Sequence, residues 1–279
     1  MEASGGSRHG PLPRPTAQSR SVGPIASVVL CDNPGVFELE GTNTWILAGD
    51  GATSVVVVDP GPYGHGTHLD VVTQVAGSVV LIISTHGHHD HVGAVDDLVA
   101  RTLAPARSFS AEHCRGAEPL ADGEVLEVAG LRITVLHTPG HTADSVCLVV
   151  EDPRDRVVLT GDTILGTGTT LLDDRAEALG EYLASLDRLA QIGPARMLPG
   201  HGPEHGDVQP VVRAYQQHRQ QRLSQIRGYL EDHHLDPRGA DPRTVAHSVY
   251  AGIPADLFDA ATVSVRTQLA FLVDPPPAG

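Results

Sequence analysis

"STHGHHDHVGA", residues 84–94, sets four histidines and one aspartate within the six positions from 86 to 91. The neutral imidazole is the commonest side-chain metal ligand and is available near neutral pH. His86 and His88 flank a single glycine where the strand-like run "SVVLIIS" (78–84) ends. Spacing by two in extended chain turns both side chains the same way. Asp90 and His91 follow at the entry to a helical stretch and can address the opposite side of a common cavity. Two pairs of donors are too many for one tetrahedral ion that keeps a position open. The spacing therefore predicts two metal ions, provided the rest of the chain supplies further donors.

Further donors occur at strand ends. "HTPGHTADS" (137–145) sets His141 in a glycine-supported turn, "TGDTILG" (160–166) sets Asp162 after the strand-like "RVVL", and "LPGHG" (198–202) sets His201 after another strand. Glycine beside each donor lets the backbone turn tightly. Four such motifs in order, each leaving a strand, are more than surface polarity explains. His89 lies between donors and is expected to point outward, while His137 is expected to pack as a strand residue near the site. His65, His68, His205, His218, His233 and His234 share no such spacing and are expected at surface or capping positions.

Short β-rich runs at 24–30, 43–49, 53–61 and 78–84 alternate with helical stretches at 68–76 and 92–100. A second set of strands spans 124–130, 131–138, 145–151 and 155–162, followed by an amphipathic helix over 173–193 and a short strand within 195–202. Two β-rich halves, each with helices, predict an α+β chain in which two sheets pack together inside a helical coat. Beyond residue 206 the pattern is helical only, at about 208–232, 241–250, 254–261 and 262–273. The expected organisation is a disordered leader over 1–22, a main domain over 23–206, a small all-α domain over 207–274 and a tail over 275–279.

Composition narrows the classes. The 279 residues, 41% of them apolar, can bury a sizeable core. No run approaches the roughly 20 apolar residues of a membrane helix, so no membrane partner is expected. The N-terminal stretch offers no apolar segment for a secretory signal. Cys31, Cys114 and Cys147 are odd in number and widely spaced, which predicts no disulfide framework and a cytoplasmic location. Neither Cys114 nor Cys147 has a motif partner that would make it a nucleophile. The net charge of −15 argues against non-specific nucleic-acid binding. Residues 207–230 run against this trend, with Arg213, Arg219, Arg222 and Arg227 facing Asp207 alone. That stretch reads as a solvated helix face or as a basic track.

The H-x-H-x-D-H motif, followed by an isolated His, an Asp and a final His, resembles the metallo-β-lactamase superfamily over roughly residues 24–205. The resemblance implies a four-layer αββα sandwich with metals at one edge. It implies His86, His88 and His141 as ligands of a first ion, Asp90, His91 and His201 as ligands of a second, and Asp162 as the bridge. Asp59 in "VVDPG" matches the aspartate that orients a ligating histidine. A narrower likeness, to lactamase-beta-like hydrolases, rests on "TGDTILGTGTT" (160–170) and "TVAHSVYAGIPADLFDAATVSVRTQLAFL" (244–272). It implies a winged-helix-like C-terminal segment, and that group includes an endoribonuclease for single-stranded RNA.

The expected activity is hydrolysis by a metal-bridging hydroxide, with Asp90 handling the proton of the attacking water. The expected cofactor is two divalent ions, zinc first, with manganese or iron also suited to these N and O donors. A phosphodiester, single-stranded RNA in particular, is the first expected substrate because of the arginine-bearing helix. A thioester in the manner of glyoxalase II is the alternative, followed by weak β-lactam hydrolysis. A mononuclear iron persulfide dioxygenase would share the same motif.

Overall fold

The computed structural model describes residues 19–274. The first sheet contains β1 (Ser19–Ser21), β2 (Ala26–Leu30), β3 (Asn43–Leu47), β4 (Val55–Val58), β5 (Val79–Ile83) and β6 (Ala106–Arg107), neighbours in that order. Pairing is antiparallel as far as β4, then parallel. Parallel neighbours need crossovers. Helix α1 (Gly66–Ala76) supplies the one from β4 to β5, and α2 (His89–Val92) with α3 (Val95–Thr102) the one from β5 to β6. The second sheet has β7 (Val125–Val128), β8 (Leu131–His137), β9 (Val146–Asp152), β10 (Asp155–Gly161) and β11 (Arg196–Pro199), in spatial order β11-β10-β9-β8-β7. Helix α4 (Ala178–Gln191) carries the chain from β10 to its parallel partner β11.

Alternation along each strand explains the layers, since successive side chains face opposite sides of a sheet. Trp45, Leu47, Val56, Val58, Val146, Leu148, Val150 and Leu159 meet between the two sheets. Their alternates Ile46, Val55, Val57 and Ile82 face outward, under Leu69 and Val72 of α1 and Leu98 of α3. On the other flank Cys147, Val149 and Val158 lie under Leu179, Tyr182, Leu186 and Leu189 of α4, spaced as one helical stripe. The result is the expected αββα sandwich. Central strands covered on both faces, such as β4 and β9, read as continuous apolar runs, whereas β7 and β8 keep an exposed face.

Helices α5 (Val208–Asp232), α6 (Pro242–Val249) and α7 (Phe258–Val273) complete the fold. The first half of α5 packs on α4 through Val212 and Tyr215, and its second half joins Val245 and Val265 through Ile226 and Leu230. The helical segment is thus docked on the sandwich, and no strand or wing occurs in it among the described residues.

Several expected boundaries shift. Residues 1–18 of the expected leader and the tail 275–279 lie outside the described residues. Residues 19–22 depart from a leader: Ser19–Ser21 pairs with β2, Val22 is buried, and Arg20 forms a two-pronged ion pair with Glu204. Helix α4 starts at Ala178 rather than 173, because the Asp173 amide donates to Gly140 O and Arg175 bonds the side chains of Asp173 and Glu181. The two helices expected at 254–261 and 262–273 are one: a 3-10 turn at Ala255–Leu257 runs into α7, where no proline or glycine interrupts the chain.

Candidate metal centre

The donors sit where strands of both sheets end. His86, His88, Asp90 and His91 follow β5, His141 lies between β8 and β9, Asp162 follows β10 and His201 follows β11. Their inward atoms form three overlapping groups, His86–His88–His141, His86–His91–Asp162 and Asp90–His91–His201, each with all its donor atoms within 4.8 Å of one another. All seven expected donors therefore converge. Asp162 reaches both sides, with Oδ1 3.4 Å from His91 Nε2 and Oδ2 3.3 Å from His201 Nε2 and 3.7 Å from His141 Nε2. His89, exposed on the cleft rim, stands outside these groups. His137 stacks on Phe109 and pairs with Ala143 O, also outside them.

Outer contacts fix the rings. His91 Nδ1 donates to Asp59 Oδ2 at 2.9 Å, His141 Nδ1 to Leu171 O at 2.8 Å, and His201 Nδ1 to Gly41 O at 3.1 Å. His86 Nδ1 donates to Thr85 Oγ1, which passes its own proton to Asp59 Oδ2 at 2.8 Å. Each of these four imidazoles thereby presents Nε2 inward, as ligation of a metal requires. Two facing ring nitrogens repel unless a proton or cation lies between them. Yet His86 Nε2 and His141 Nε2 lie 3.1 and 3.0 Å from His88 Nδ1, and His91 Nε2 lies 3.2 Å from His201 Nε2. Asp162 Oδ1 is buried without a hydrogen-bond partner. The donor set fits divalent cations on both counts.

Charge follows the same division. Burial pushes His86 well below the ordinary imidazole range, reinforced by His91, and burial likewise lowers His141 against the pull of Asp162. Burial opposes a charge on His91, but Asp59 and Asp162 outweigh it and raise that ring. His201 is pushed up to about 9, where hydrogen bonds to Asp162 and Asp90 outweigh burial. Burial also disfavours the charged carboxylates, yet the histidines hold Asp90 and Asp162 well below the usual carboxylate range. The raised imidazoles and lowered carboxylates mark a pocket that favours positive charge beside Asp90 and Asp162.

Sequence reasoning passed over three supporting side chains and read a fourth, Arg219, only as part of a helix face or basic track. Thr85 ties His86 to Asp59, and Thr42 Oγ1 donates to Asp90 Oδ2 at 3.2 Å. Thr170 Oγ1 lies 3.1 Å from His141 Nδ1, and Arg219 donates to Thr170 O at 2.5 Å. A hydroxyl beside a donor, as at Thr85, is a usable local signal; the other three come from elsewhere in the fold. His68 was expected at the surface but is buried, its Nε2 donating to Thr44 Oγ1 at 2.9 Å. It lies beneath the site because Thr44 in turn holds Asp59 O.

The donors open onto a cleft of about 1070 Å³ between the sandwich and the C-terminal helices. Val36, Phe37, Leu165, Leu171, Ile253 and Leu257 give much of its lining an apolar character. Of the four helix α5 arginines, Arg219 and Arg222 line the cleft, while Arg213 and Arg227 are exposed elsewhere. Arg219 is buried, while Arg222 donates to Val249 O and lies over the Tyr250 ring.

Two covered sheets with histidine and carboxylate donors gathered at one edge define a metal-dependent hydrolase. Residues 38–201 match the metallo-beta-lactamase superfamily, and the chain belongs to that family. It is 32% identical over 274 residues to a beta-lactamase-like protein 2 homolog of Drosophila melanogaster, covering 92% of this chain and 90% of that protein. It is 33% identical over 260 residues to an atrochrysone carboxyl ACP thioesterase of Aspergillus chevalieri, covering 90% of this chain and 80% of that one. A beta-lactamase domain protein from Burkholderia ambifaria shares the fold, with a TM-score of 0.75, 19% identity and coverage of 93% and 89% of the two chains. No helix among the described residues is long and apolar enough to cross a membrane.

Proposed function

We propose that this chain is a dinuclear metal-dependent hydrolase acting on a small thioester or related acyl ester. The carrying observation is the reach of Asp162 into both donor groups at the base of an apolar-walled cleft. In this reading His86, His88 and His141 would hold one ion and Asp90, His91 and His201 the other, with Asp162 available to both donor groups. Zinc suits the donors, as do manganese and iron. The ions would supply Lewis acidity and an acidified water.

The chain's own groups do the rest. Asp90, steadied at Oδ2 by Thr42 Oγ1, would orient the attacking water. The apolar wall excludes bulk water and holds the acyl part. An acyl substrate is favoured over a phosphodiester because much of the cleft lining is apolar and because the Aspergillus relative is named as a thioesterase.

Metal analysis of purified protein, with turnover of an acyl thioester, a short single-stranded RNA and a β-lactam, tests the reading. The expected result is two divalent ions per chain and preferred thioester cleavage. Asp162→Ala should lose at least one ion and about 100-fold in rate while keeping its circular dichroism. Full activity in that variant would remove the bridging role. RNA cleavage without thioester cleavage would replace the substrate class, and one iron per chain with oxygen consumption would replace the reaction.

A further inference from the structure

Helix α5 turns His218, Arg219 and Arg222 toward the same cleft. Arg219 is only 4% exposed, and no carboxylate among the described residues lies within ion-pair reach of it. Its Nη2 donates to Thr170 O, its guanidinium lies 5.0 Å over the Tyr182 ring, and its buried Nε has no hydrogen-bond partner. Arg222 donates to Gln225 Oε1 and Val249 O, again with no carboxylate partner. His218 Nδ1 is buried without a partner as well. Burial and the two arginines lower the pKa of His218.

A buried guanidinium without a counter-ion is costly, and here one carbonyl and one ring face replace only part of its lost hydration. Anions are not scarce in a chain of net charge −15. The cleft's own carboxylates are engaged elsewhere. Asp173 is bonded to Arg175 at 2.7 Å, Asp174 to Arg266, and Asp90 and Asp162 face the histidines. Glu38, on the β2–β3 loop, pairs with neither arginine. The positive charge is therefore left for something that enters the cleft.

We propose that Arg219, with Arg222 and His218, forms an oxyanion-binding subsite of the cleft that takes a carboxylate or phosphate carried by the substrate itself. The planar guanidinium suits either group through paired N–H donors. The favoured substrate then has a reacting carbonyl at the metal centre, an apolar body against Leu165, Leu171 and Ile253, and an anionic group at α5. The substrate part of this inference rests on the acyl-ester reading above; the anion site does not.

The test uses the metal-loaded full chain with Arg219→Met and Arg222→Gln. Three acyl thioesters are compared, tailed with a carboxylate, a phosphate or a neutral methyl group. The wild type should prefer one anionic tail, which names the source, and Arg219→Met should reduce the anionic-to-neutral ratio of kcat/KM at least tenfold, mainly through KM. Arg222→Gln should give a smaller fall of the same sign, which keeps the test decisive if Arg219→Met folds poorly. Calorimetric titration with glutarate and with inorganic phosphate is the second arm. A binding event lost in the variants with metal content unchanged supports the subsite. Anion binding unchanged in both variants would assign it to the metals alone and overturn the proposal, as would unchanged tail preference. Lost anion binding in a protein that cleaves no thioester would sink only the substrate reading.

Discussion

Asp59 sits at φ 54°, in the left-handed region that aspartate tolerates better than most residues. From there its carboxylate accepts from Thr85 N at 2.7 Å, Thr85 Oγ1 at 2.8 Å and His91 Nδ1 at 2.9 Å. Asp59→Asn keeps the shape but exchanges one acceptor oxygen for a donor, setting N–H groups against each other at Thr85 or His91. Metal affinity should fall about 10- to 100-fold, the usual effect of losing a carboxylate behind a ligating histidine. Competition with a chromophoric chelator measures it, and unchanged affinity would dismiss the orienting role. His201 offers a pH test in metal-free protein. Against burial, hydrogen bonds to Asp162 and Asp90 raise it from an ordinary 6.5 to about 9. A raised folded-state pKa gives stability that is complete below about 6.5 and is lost as pH rises through about 9. Metal-free Tm should therefore drop across that window, while the metal-loaded chain, whose ion replaces the proton, should not follow. The seven candidate donors, which the structure brings together, were legible from the H-x-H-x-D-H cluster and from glycine-marked strand ends. Arg219 and Thr170 were not, since 49 residues separate the partners of that bond.

At the scale of elements, the site depends on strand ends that meet closely. The Gly200 amide donates to Gly161 O at 2.9 Å and its carbonyl accepts from Asn43 N at 2.8 Å, so the end of β11 cannot back away from β10. A Cβ at Gly200 would stand 2.4 Å from Asp162 Oδ1 and 2.7 Å from His91 Cε1. Gly200→Ala must displace both donors. The expected outcome is at least a tenfold loss of metal affinity and about 1–3 kcal/mol of stability from overpacking. Gly206→Ala, where a Cβ meets nothing within 4 Å, is the control in the same denaturation and metal-binding assays. The long elements were readable from periodicity alone. The misses have physical causes: β1 and β6 span three and two residues, too few for any period, and rely on their neighbours for pairing. The false break at 261–262 came from mixed polarity, whereas Thr262 is buried and its hydroxyl returns to Phe258 O within an unbroken helix.

Across the whole molecule the donors come from both sheets, four after β5 of the first and three from the β8–β9 turn and the ends of β10 and β11 of the second. Packing between the sheets is largely apolar, from Trp45 and Leu47 to Leu148 and Leu159, and at the site edge Asn43 N donates to Gly200 O and Trp45 Nε1 to Pro199 O across it. Ions held at the edge would join the sheets there, adding a link whose strength scales with free-ion concentration. At 100 times its Kd, an ion that binds only the folded chain adds about 2.7 kcal/mol. For a chain of this size each kcal/mol moves Tm by roughly 2–4 °C. Treating the loaded protein with a chelator should therefore lower Tm by about 5–10 °C at pH 7.5, and restoring the metal should recover it. Asp162→Ala should melt near the chelated wild type and respond little to added metal, because it lacks the donor that spans both groups. Identical melting with and without chelator, in protein proven by analysis to lose its metal, would mean that apolar packing and the hydrogen bonds across the edge fix the two sheets without ions.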